Sequence, residues 1–250
     1  MGTASVTPPA PETAPLSQFQ RILSTFIAPG KTFSDLRRSA SWWAPYLLIV
    51  VVSFAFVFTM ERQIGFDQLT KNAIAQSSRA EQFEKLPPDQ QAQQLQLASK
   101  ITRYISYAAP AISLVIFLII AAVLMGTFNL ALGASVPFKV AFAIIIYASL
   151  PGVISGILAI VSMFAGIDPS GFNAQNPVAS NPAYFMDPAT TSKFLYGIAS
   201  ALDVFVIWTI ILVGIGFAAN SKVKRSPAIG VVAGLYLVYK VAAAGLSSLS

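Results

Sequence analysis

Five apolar runs divide the chain: Trp42 to Met60, Tyr104 to Leu132, Val140 to Ile167, Phe194 to Ala219 and Ala228 to Leu249. Each is long enough to cross a bilayer core, which takes ~20 helical residues. The runs are apolar on every face, whereas barrel strands alternate in segments of ~10 residues. The pattern therefore predicts an all-α fold, a polytopic integral membrane protein built as a bundle of five transmembrane helices. Runs two and three exceed the required length, which predicts tilt, a kink or extension past the core. Pro110 and Pro151 are the candidate kink or end points. Membrane helices tolerate Pro when neighbours re-satisfy the freed carbonyls.

The polar stretches between the runs carry their own periodicity. Leu16, Phe19, Ile22, Leu23, Phe26 and Ile27 recur at three- and four-residue spacing, one face of a helix. Pro29-Gly30 stops it, and Thr32 caps a second short turn with Asp35 three residues on. Residues 16–38 thus predict a cytoplasmic amphipathic N-terminal helix, lying on the leaflet or packed beneath the bundle as a foot. Loop 61–103 is polar and Gln-rich; its weak apolar faces predict a solvated helical hairpin broken at Pro87-Pro88. Loop 168–188 holds four X-Pro steps, which force extended or turn geometry and predict a structured, non-helical cover. The first 15 residues, MGTASVTPPAPETAP, read as a Pro-rich tail without order and not as a signal peptide. Val6 stands where a myristoylation site takes Ser or Thr. No long-period repeat is visible, so inverted-repeat transporter architecture has no support.

Composition sharpens the class. Of 250 residues 55% are hydrophobic and 10% charged, with a mean hydropathy of +0.67; an ordinary soluble domain is ~25% charged. The chain has no Cys and no His, which removes disulfides, thiol nucleophiles, zinc sites and imidazole chemistry. No cofactor, metal site or catalytic residue is expected. The net charge of +6 and pI near 9.6 point to basic loops flanking membrane helices and to no nucleic acid. Arg21, Lys31, Arg37, Arg38, Lys139, Lys222, Lys224 and Arg225 lie on one side of the runs, and seven bases on the other. The tight clusters at 37–38 and 222–225 decide the near tie, because the first loop mixes its bases with five acids. They predict a cell-membrane protein with a cytoplasmic N-terminus and an outside C-terminus.

Few polar groups enter the runs. Asp203 is the only charge in the fourth and Lys240 the only charge in the fifth. A charge at bilayer depth costs about 2.5–3.5 kcal/mol on insertion scales and marks a functional hypothesis by default. Counted from the basic end, Asp203 stands ~24 Å and Lys240 ~18 Å along their helices. That offset is within reach of a snorkelling lysine, so an intramembrane Asp203–Lys240 ion pair is one expectation. The other puts Asp203 in a first helical turn, hydrated and favoured by the helix dipole, with Lys240 at the surface among Tyr236 and Tyr239. Asn129 in run two is the remaining strongly polar residue, and a bond to a neighbour suffices for it. Gly152/Gly156 and Gly230/Gly234 are GxxxG pairs, candidate helix-packing positions within the chain or at a homo-oligomer seam.

A family resemblance rests on an ordered set of segments. "FIAPGKTFSDLR" followed by "WWAPYLL" resembles the start of bacterial members of the Yip-one domain family, Ypt/Rab-interacting membrane proteins. "VPFKVAFAIIIYASLPGVI", "NPVASN", "ALDVFVIWTIILVGIGFA" and "SKVKRSPAI" follow in the order that family shows. The likeness covers about Leu16 to the C-terminus and implies five membrane helices with a cytoplasmic N-terminus. Eukaryotic relatives act in vesicle traffic, binding Rab-type GTPases and shaping membranes. Their acidic, tyrosine-bearing motifs are not evident here, so the resemblance carries over neither GTPase binding nor any ligand or catalytic residue. It implies a non-enzymatic multi-pass protein that organises membrane or recruits partners, with the bilayer, membrane proteins or a second copy as its contacts. The alternative is a small transporter or channel whose pathway Asp203, Lys240 and Asn129 line. An enzyme ranks third: Ser155-Gly156 has no histidine to activate it.

Overall fold

The computed structural model describes residues 14–77 and 80–247, and every regular element among them is helical. The predicted tail of residues 1–15 lies almost wholly outside the described residues, as does the far end of run five. Helices α1 (Gln18–Ile27) and α2 (Pro29–Asp35) precede α3 (Trp43–Gln63), the first span. Helices α4 (Phe66–Ala75) and α5 (Ala80–Glu84) occupy the polar loop. Helix α6 (Pro88–Gly126) runs on through a π turn, Thr127–Ala131. Helices α7 (Phe138–Ala148) and α8 (Pro151–Phe164) make one span, with Pro151 at the first position of α8. Helices α9 (Lys193–Ala201) and α10 (Val204–Ala219) meet at a 54° bend, and α11 (Arg225–Ser247) completes the bundle. Among the described residues four helices are long and apolar enough to cross a membrane, and five spans result when the bent pair is one.

The centre of the bundle is α7. Every residue from Val140 to Ala148 is buried, as expected of a stretch whose only polar side chain is Tyr147. Around it α8 packs on α3, α6 on α7 and α3, and α10 on α7, α8 and α11. The outer faces of α3, α6 and α11 remain apolar and exposed, which suits lipid rather than water.

The polar N-terminal segment folds as a foot. Ser17 and Gln20 form a reciprocal capping box that starts α1. Pro29, which opens α2, redirects the chain. Phe33 and Leu36 then enter the core beside Ile144 and Phe217, fully buried. Arg21 is 3% exposed and pairs with Asp35 at 2.7 Å, which ties α1 to the end of α2. Thr25 and Thr32 each donate to the Arg21 carbonyl. The buried Tyr147 hydroxyl donates to Gln18 Oε1 at 2.9 Å. Of the two arrangements open to residues 16–38, this is the foot. Yet α1 has a second apolar face: Phe19, Leu23 and Ile27 point away from the bundle.

The polar loop departs from a simple hairpin. Pro87-Pro88 separates α5 from α6, but α6 starts at Pro88 and continues without a break into the membrane, so the second arm of the loop and the second span are one helix. Pro110 stays inside α6, and its carbonyl accepts from Tyr46 and Ser113. Helix α4 lies along α6, and Asn72 donates to the carbonyls of Pro169 and Phe172, fastening the first loop to the third. The third loop contains two short 3-10 turns, Pro169–Gly171 and Pro182–Phe185. Asp168 starts the first; its carboxylate accepts from the Ser170 N–H and hydroxyl, which holds its pKa below the ordinary value.

Candidate functional site

The fourth apolar run breaks where its only charge stands. A helix break inside a membrane protein frees carbonyls at one end and N–H groups at the other, and both need partners. Asp203 precedes α10 and its Oδ1 accepts from the N–H groups of Phe205 and Val206, at 2.9 and 3.1 Å. Its Oδ2 accepts from the Ser180 hydroxyl and from Asn181 Nδ2. A carboxylate has about four lone-pair sites, so all of them are used. On the other side of the break, the Tyr236 hydroxyl of α11 donates to the Ala201 carbonyl at 3.0 Å.

The third loop is built to reach this point. Asn176 and Asn181 are buried and exchange side-chain amide bonds of 3.2 and 2.7 Å. Asn181 uses its second N–H on Asp203. Ser180 serves the break twice, through its hydroxyl on Asp203 and its carbonyl on the Val204 N–H. Between loop, α9, α10 and α11 lies a cavity of about 470 Å³, lined by Asp203, Lys240, Asn176, Tyr196 and Thr209 among others.

Asp203 and Lys240 therefore reach the walls of one cavity. The ion pairs among the described residues are Arg21–Asp35, Lys85–Glu81 and Arg103–Glu61, and Asp203–Lys240 is not one of them. Instead the Lys240 ammonium lies 5.8 Å from the centroid of the Tyr236 ring, a cation–π placement. Asn129 sits in the π turn and holds both backbone groups of Val136, donating at 3.0 Å and accepting at 2.9 Å. It closes the connection from α6 to α7 and does not face the cavity.

The glycines divide unevenly. A Cβ at Gly156 would lie 3.1 Å from Val52, where α8 meets α3. Gly152, Gly230 and Gly234 have open space around them. The tight positions are Gly214 and Gly216, which no GxxxG pattern marks. A Cβ at Gly214 would lie 2.6 Å from the Ile229 Cα, and one at Gly216 would run into Ile144. Ser180, Asn181 and Tyr236 were also outside the sequence-derived candidates. An Asp directly before an apolar helical run is an N-cap signal, and it was available at 203.

The other face of this arrangement is the end where α10 stops and α11 starts. Asn220 donates to the Phe33 carbonyl at 2.9 Å, and Arg37 donates to the Ala219 carbonyl. The foot is thus sewn to the end of the bent span, and the clusters at 37–38 and 222–225 come together at one end of the bundle. No curated protein and no solved structure matches the chain. The Yip1 domain family model matches residues 23–246, from within the foot through the bent span to the last helix, and the chain belongs to that family.

Proposed function

We propose that this protein is a non-enzymatic membrane organiser whose foot acts as a wedge in one leaflet. The observation that carries the reading is the double face of α1. One side is fastened to α2 by the buried Arg21–Asp35 pair and to α7 by the Tyr147–Gln18 bond, and the other leaves Phe19, Leu23 and Ile27 exposed among the described residues. Ile27 is 82% exposed. Three such side chains entering acyl chains gain on the order of 5 kcal/mol, enough to hold the helix at the headgroup boundary. The basic residues gathered at this end support a cytoplasmic placement, with the C-terminus outside. Partner recruitment at the same stripe is compatible with this role.

The test compares the full chain with a Phe19→Gln/Leu23→Gln/Ile27→Gln variant in proteoliposomes imaged by cryo-microscopy. The parent should shift vesicles to smaller radii, and the variant should not while melting at the same temperature. Identical vesicle populations would remove the wedge. A second reading, a small transporter or channel, is favoured by the cavity at the α9–α10 break that Asp203 and Lys240 line. It requires solute flux in liposomes that Asp203→Asn alters, and no flux across a broad panel excludes it.

A further inference from the structure

A second cavity, of about 1030 Å³, opens at the foot end of the bundle. Lys31, Arg37 and Arg38 line it from the foot, and Arg225 lines it from the first residue of α11. Asp35 is the carboxylate among its walls, and that charge is already met by Arg21 at 2.7 Å. Among the described lining residues, Lys31 and Arg225 then carry positive charge that no lining carboxylate meets. Its form is specific at Gly30, where a Cβ would lie 3.1 Å from a terminal nitrogen of Arg225. The absent side chain lets the guanidinium lie over the start of α2, at the cavity wall.

The remaining walls include Leu16 and Ile215, both apolar. Leu16 leads directly into α1, whose outward stripe continues the apolar surface. Trp42 and Trp43 stand at the start of α3, the residue type enriched at membrane–water boundaries. Basic side chains and an apolar wall in one cavity, at the end of the bundle where Trp42 and Trp43 stand, suit an amphiphilic anion. Arginine is the side chain best matched to a phosphate, through paired N–H donors.

We propose that this cavity binds the phosphate headgroup of an anionic phospholipid, with Arg225 and Lys31 as its principal donors and the acyl chains against the Leu16–Ile215 wall. The inference needs only that this end lies at headgroup level, and it is separate from the wedge, because its variants leave Phe19, Leu23 and Ile27 intact.

The experiment is native mass spectrometry of the full chain taken from nanodiscs of phosphatidylcholine with a minority of phosphatidylglycerol. Retained phosphatidylglycerol is counted for the parent, Arg225→Gln, Lys31→Gln and Lys224→Gln. Lys224 is the neighbour of Arg225 in sequence but is not among the cavity's lining residues, so its loss changes net charge equally without touching the site. Retention should fall by about tenfold or more for each lining charge removed, the loss of a charge-assisted hydrogen bond, and by no more than about fivefold for Lys224→Gln, the effect of one surface charge. Gly30→Leu, which fills the space without changing charge, should also expel the lipid. Equal melting temperatures in pure phosphatidylcholine show that the variants fold. Equal losses for Arg225→Gln and Lys224→Gln would reduce the effect to diffuse surface charge and overturn the site. Displacement by millimolar inorganic phosphate would make the ligand a soluble anion, and no preference over phosphatidylcholine would leave an acidic protein as occupant. Either result overturns the proposal.

Discussion

Asp203 directs its charge to its own neighbourhood: two N–H groups of α10, one hydroxyl and one amide from the third loop. Replacing it with Ala should cost about 1–2 kcal/mol for the lost helix cap, with more from the stranded Asn181. Asn, itself a good cap residue, should cost less. Lys240→Met leaves all four of those bonds in place, so a detergent-melting cycle with Asp203→Asn should be additive within about 0.5 kcal/mol. Clear coupling would mean that the two charges meet in the membrane after all. A second contrast concerns glycine. Gly214→Ala should destabilise by about 1–3 kcal/mol, because the methyl meets the α11 backbone. Gly230→Ala has open space and should be neutral or gain up to ~1 kcal/mol of helix propensity. Sequence spacing pointed to Gly230 and away from Gly214, for a physical reason. A GxxxG pair states that close approach is possible, while the partner helix decides which glycine is approached.

The foot shows what one helix period can and cannot tell. The repeat of Leu16, Phe19, Ile22, Leu23, Phe26 and Ile27 was legible as an amphipathic helix. Its docking was not, because the deciding residues are polar. Arg21 reads as a solvated charge until Asp35, 14 residues later, is folded back against it. Phe33 and Leu36 sit in a stretch too short to show a period, yet they are fully buried. A buried pair deprived of one partner leaves an uncompensated charge, so Asp35→Asn should lower stability by about 3–5 kcal/mol. Replacing both partners, Arg21→Met with Asp35→Leu, should recover most of it. Melting of the purified full chain in detergent measures both. If Asp35→Asn melts with the parent, the foot is not fastened through this pair. The same contacts make the foot part of the bundle, so removing residues 1–38 should unfold the membrane domain rather than release an independent module.

For the molecule as a whole, apolar run length alone carried the class. Among the described residues four of the five runs became helices long enough to span, and the fourth run became the bent pair that makes a fifth span when taken as one. The break in the fourth span was hidden, because hydropathy sums over Asp203 without noticing that it can end one helix and begin another. The X-Pro steps of the third loop announced a fixed shape; its purpose, delivering Ser180 and Asn181 to that break, depends on contacts across 22 and 23 residues.

That break has a mechanical consequence for the surrounding lipid. Beyond it, α10 has 16 residues, a rod of ~24 Å, while an average hydrocarbon core is ~30 Å thick. Beside it α11 has 23 residues, ~34 Å. Val204, Ile207 and Ile211 face outward from the short rod, and Phe194, Leu195 and Leu202 continue the apolar surface beyond the 54° bend, so tails along this span meet a bent wall, whereas those along the unbroken α11 do not. The protein thus sets a bent apolar wall beside an unbroken one. Tails that lie parallel along α11 must splay or turn to follow α9 and α10, so the two neighbouring flanks ask different shapes of the same lipid.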